Sequence, residues 1–124
     1  MATLAAHPAL SRQLVIESTR GVVVVVPAGG PTYRARQGSV LRQGDQVVAT
    51  QGARIALDYN QGYLILSPKT RIWIEVLANS NGGAVTKLVV YRGQLWPGLR
   101  RLRNVRSWFS ARGPRGILFS VRGG

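Results

Sequence analysis

From residue 13 onward the chain alternates short apolar runs with clusters of Gly, Pro, Asn and Ser. Leu14 to Glu17 reads as a short strand. Val22 to Val26 is a run of β-branched residues, so Gly21 to Val26 reads as another. Pro27 and the Ala28-Gly29-Gly30-Pro31 turn end it, and Tyr33 to Arg36 is placed to pair back on it. Gln46 to Ala49 is a further apolar stretch. Ile55, Leu57 and Tyr59 alternate with Arg54 and Asp58, the period of two of a half-buried strand. Asn60-Gln61-Gly62 turns the chain into Tyr63 to Leu66, and Ser67-Pro68-Lys69 turns it again. Arg71 to Leu77 predicts a strand with Ile72, Ile74 and Val76 on one face. Asn79-Ser80-Asn81-Gly82-Gly83 predicts a loop, Thr86 to Tyr91 a strand, and Arg92-Gly93 a turn. Leu95 to Arg103, with Pro97 and Gly98, reads as irregular. Val105 to Ser110 and Ile117 to Arg122 close the series, the latter with Ile117, Phe119 and Val121 pointing inward.

No window shows an apolar period of 3.6 residues. The pattern predicts an all-β fold: a single compact sandwich or roll of short, mostly antiparallel strands. The expected organisation is an N-terminal tail or arm over residues 1–19, where Pro8 limits any helix, a β domain over 20–122, and a short C-terminal tail at 123–124. With 124 residues, 45% hydrophobic, the chain is the size of one domain with material for a core.

Charge changes the picture. There are 17 Lys and Arg against four Asp and Glu, a formal net charge of +13. The first 75 residues hold all four acids; residues 76–124 hold Lys87, eight arginines and no acid. Arg suits bidentate pairing with carboxylate or phosphate and stacking on aromatic rings. The excess points to an acidic partner: an anionic protein surface, nucleic acid or a membrane face.

The chemistry of an enzyme is scarce. There is no cysteine, and His7 is the sole histidine, set before Pro8 in the expected tail. No phosphate loop, dinucleotide fingerprint or metal-ligand cluster appears, so no cofactor is expected and the chain reads as a non-enzyme. No stretch approaches the roughly 20 apolar residues that span a bilayer. The N-terminus lacks the basic start of a secretory leader, which reads as cytoplasmic, or periplasmic if a leader has been removed. The segment from Trp96 to Phe109 is different in kind. Trp96 and Trp108 are interleaved with Arg100, Arg101, Arg103 and Arg106, and Arg112 and Arg115 follow. Trp and Arg are the side chains that most often anchor protein interfaces. The same pairing suits single-stranded nucleic acid. Arg115 admits two local readings, a buried group bonding loop carbonyls or a surface anion contact.

Four stretches carry a resemblance. Leu41-Arg42-Gln43-Gly44-Asp45-Gln46-Val47-Val48-Ala49-Thr50 resembles the Leu-x-x-Gly-Asp signature of the FecR-like domain family. Ile55 to Pro68 is similar to that family's strand, turn, strand and Pro turn. Leu88-Val89-Val90-Tyr91-Arg92-Gly93-Gln94-Leu95-Trp96 is similar to its apolar strand, Arg-Gly turn and aromatic, and Arg112 to Phe119 to a shortened form of its terminal segment. Ile117 stands where the family has Thr or Ser. The resemblance, over about residues 20–122, implies a bacterial β module that binds protein. The membrane helix of the family's signalling regulators has no counterpart here, so a regulator's role is not implied; an envelope sensor domain is the alternative on that line. Taken with the charge, the sequence predicts a basic linker or accessory subunit that docks on acidic subunits of a larger assembly. A small nucleic-acid-binding β protein is the other reading. Residue by residue, Gly44-Asp45 predicts a tight turn whose carboxylate caps neighbouring amides.

Overall fold

The computed structural model describes residues 12–59, 61–80, 83–100 and 106–123. These form the strands β1 (Leu14–Arg20), β2 (Val23–Val26), β3 (Tyr33–Arg34), β4 (Val40–Leu41), β5 (Gln46–Ala49) and β6 (Gly52–Leu57). They continue with β7 (Gly62–Leu66), β8 (Thr70–Ser80), β9 (Gly83–Arg92), β10 (Leu95–Leu99), β11 (Trp108–Gly113) and β12 (Gly116–Arg122). A five-stranded sheet has the order β10-β7-β6-β1-β4, and a seven-stranded sheet the order β12-β11-β9-β8-β5-β2-β3. Every pairing is antiparallel except β9 with β11. The expected all-β sandwich is the architecture found.

The sheets pack through alternate positions. Leu14, Ile16, Ile55, Leu64 and Leu66 of the first sheet meet Val23, Val25, Val47, Ile72, Ile74, Leu88 and Phe109 of the second in one buried cluster. Burying each such side chain is worth about 1.5–3 kcal/mol against leaving it in water. Gly44-Asp45 forms the turn expected of it. Gly44 sits at φ +94, and the Asp45 carboxylate accepts the amides of Arg42 at 2.9 Å and Ala28 at 3.2 Å.

Several expectations need correction. The body begins before residue 20: β1 lies between β6 and β4, with Leu14 and Ile16 in the core. Arg12, expected in a tail, is buried. Its guanidinium donates to both Asp58 carboxylate oxygens, to the Val85 carbonyl at 2.8 Å and to Thr86 Oγ1 at 2.8 Å. Asp58 also accepts the amide of Gln13, so a satisfied charge pair ties the entry to β1 to both sheets. Tyr59 is not an inward strand residue; it is exposed in the turn after β6, at φ +56. Of the loop expected at 79–83, Asn79 and Ser80 belong to β8 and Gly83 to β9, with Ser80 paired to Gly83; residues 81 and 82 lie outside the described residues.

Three further corrections concern register. In β8 a bulge falls between Ile74 and Val76, so Leu77 takes the core position expected of Val76. Leu95–Leu99 is a regular strand in spite of Pro97. Ser67 donates to the Gln94 carbonyl and Arg100 to the Gln61 carbonyl. Bonded positions on β10 are therefore even-numbered, and the nitrogen of Pro97 faces the sheet edge, where among the described residues no strand pairs and no donor is needed. In β12, Phe119 stacks on Phe109 with centroids 5.3 Å apart. Ile117 and Val121, expected inward, are exposed, Ile117 by 77%. Beside them a bulge interrupts the pairing between Ala111 and Arg112, and among the described residues β12 has no neighbour on its far side.

Candidate docking surface

Of the eight residues expected to meet a partner, the six described ones do not form one surface. Trp96 lies on β10, between core residue Leu95 and half-buried Pro97. Its cross-strand partner is exposed Ile65, so both occupy the outer face of the five-stranded sheet. The indole Nε1–H donates to Ser67 Oγ at 3.0 Å. Arg100 is exposed at the end of that strand. Trp108 lies on β11, next to core Phe109, and faces outward from the seven-stranded sheet, on the opposite side of the sandwich. Arg101 and Arg103 lie outside the described residues.

Around Trp108 the geometry converges. The parallel register sets β9 against β11, with Lys87 opposite Ser110, while β12 sets Arg122 opposite Trp108. Lys87 Nζ lies 4.4 Å and the Arg122 guanidinium 4.5 Å from the ring. Its Nε1–H donates to Ser120 Oγ at 2.8 Å, which fixes the ring plane. Each cation is held by the negative face of the π system. Among the described residues neither Lys87 nor Arg122 has an ion pair. An arriving carboxylate would relieve the repulsion between two cations held beside one ring.

The remaining candidates flank this cluster. Arg112 is exposed on β11 and pairs with Glu75 at 3.1 Å. An exposed pair of that kind is worth about 0–1 kcal/mol and is readily exchanged for another acid. Arg115 is exposed in the turn between β11 and β12, which settles its position in favour of the surface. Arg106 is exposed at the entry to β11, where the Gly83 backbone passes so close that a Cβ would strike it. Ser107 fixes this junction by accepting the Ala84 amide at 3.1 Å.

Sequence reasoning overlooked Lys87 and Arg122 as members of the site. The partnership of Lys87 with Trp108 depends on a parallel pairing that local patterning does not encode, and that of Arg122 on the register of β11 with β12. It also overlooked a second exposed area. On the outer face of the five-stranded sheet, Val15, Ile65 and Trp96 are exposed, and Arg54 sits 3.9 Å over the Tyr63 ring. Arg54 is paired with Glu17 at 3.1 Å, so this area is apolar with balanced charge rather than cationic.

Among the described residues no group of three or more His, Asp or Glu side chains is placed to hold a metal ion. No described helix is long and apolar enough to cross a membrane. His7 lies outside the described residues. No family model, no curated protein and no solved structure matches the chain.

Proposed function

We propose that the protein is a non-enzymatic binding module, a basic linker or accessory subunit that docks through the outer face of β9, β11 and β12 on an acidic protein surface. The observation that carries this reading is the pair of cations, Lys87 and Arg122, gathered on Trp108 on a sheet face that also carries Arg112, in a chain of net charge +13. Such a face steers an acidic partner into encounter, and the half-buried indole supplies contact area between the charges. The resemblance of residues 20–122 to FecR-like domains supports a protein-binding role. Nucleic acid is the less favoured partner, because base stacking needs an open ring face and two cations already occupy the Trp108 ring.

Affinity capture at low salt from a nuclease-treated lysate of the source cells tests the reading. The intact protein retains acidic proteins, and the double variant Lys87→Glu/Arg122→Glu, with an unchanged thermal melt, does not. Equal retention by both proteins, or retention that disappears with nuclease treatment, contradicts it.

A further inference from the structure

The open edges of the two sheets are not alike. β3 and β4 are two residues long, and β10 carries Pro97 with its nitrogen outward. Each of these devices discourages pairing with another chain. β12 has seven residues, no proline, and a single charge at its last position, Arg122. Gly123 donates its amide to the Ser107 carbonyl at 2.8 Å, in step with the pairing of Phe109 with Val121 and Ala111 with Phe119. The amides and carbonyls of Phe119 and Val121 therefore point to β11. Those of Ser120 and Arg122 point out of the sheet, unpaired among the described residues.

We infer that the β12 edge accepts an extended segment of an acidic partner as an added antiparallel strand. Main-chain hydrogen bonds to Ser120 and Arg122 would hold it. The alternation of β12 dictates its pattern. Residues opposite Phe119 and Val121 lie on the inner side, where Val121 is 39% exposed and an apolar partner covers it. Residues opposite Ser120 and Arg122 lie on the outer side, beside Arg122 and within the field of Lys87 and Arg112, where a carboxylate is complementary. The occupant is thus an apolar–acidic alternating strand. A second copy of this chain is disfavoured, since it brings +13 against +13 and no acid from residues 76–124. The inference rests on the docking function proposed above and names the form of the partner.

Fluorescence anisotropy of the full chain with a short labelled peptide alternating valine and glutamate tests it. The peptide binds. Ser120→Pro, which removes an edge donor, weakens it about tenfold, the scale of a lost hydrogen bond. Ser120→Thr, which keeps that donor and the hydroxyl that accepts from the Trp108 indole, does not. A second arm needs no protein variant: methylating the peptide's glutamate nitrogens abolishes binding, whereas methylating the valine nitrogens leaves it. Equal binding of both methylated peptides, or no binding of the parent peptide, overturns strand addition. The docking function is read separately, by the capture experiment with Lys87→Glu/Arg122→Glu. Equal binding of a valine–lysine peptide overturns the acidic character of the strand.

Discussion

Arg12 and Asp58 show how much one pair of side chains contributes here. The Arg12 side chain is fully buried and reaches a carboxylate, a hydroxyl and a backbone carbonyl, so its charge is compensated on several sides. Removing one partner strands the other charge away from water, at a cost of about 3–5 kcal/mol. Asp58→Ala is therefore expected to lower the unfolding free energy by that amount in urea titration. The double change Arg12→Met/Asp58→Leu should recover much of the loss, because an apolar pair of similar volume needs no compensation. A loss below about 1 kcal/mol for Asp58→Ala would show that the pair is dispensable. The role of Asp45 was legible in the sequence because it bonds to the amide of Arg42, three residues away. The role of Arg12 was not, since its partners lie 46 to 74 residues along the chain.

At the scale of elements, the period of two gave the existence and type of most strands, and irregularities decided which faces they bury. The β8 bulge is one such case. Leu77→Ala is expected to cost about 2–5 kcal/mol, and Val76→Ala less than about 1 kcal/mol, in the same titration. The reverse order would restore the unbulged register that simple alternation implies. β10 is the other case. Pro97 and Gly98 look like strand breakers, yet the proline faces an open edge and the glycine lies beneath the Tyr63 ring, where a Cβ would collide. Gly98→Ala should cost about 1–3 kcal/mol, and Tyr63→Ser in the same chain should relieve most of it. What the sequence concealed in both cases was pairing: a bulge or an edge is a property of two strands, not one. β12 belongs with them: Val121 follows the inward alternation with Phe119, but the bulge sets Ile117 opposite exposed Arg112.

For the whole molecule, the sandwich separates features that are adjacent along the chain. Trp96 and Trp108 are twelve residues apart and face opposite sides, so the segment that reads as one basic, aromatic patch is divided between two surfaces. The uneven charge was plain in the sequence. Where it concentrates followed from pairing: the parallel β9–β11 register brings Lys87 to Trp108, and the antiparallel β11–β12 register brings Arg122. A partner steered by this face should associate more slowly as salt rises, with dissociation changing less; stopped-flow measurement across ionic strength checks this. Salt-independent association would mean that the net charge of +13 does not guide docking.

The most direct measurement is hydrogen–deuterium exchange of the protein alone and with its captured acidic partner bound. Slowed exchange is predicted in residues 106–123 and 83–92, with β6, β7 and β10 unchanged. Protection centred on β7 and β10 around Trp96, with β11 and β12 exchanging as in the free protein, would contradict the assignment of the docking face.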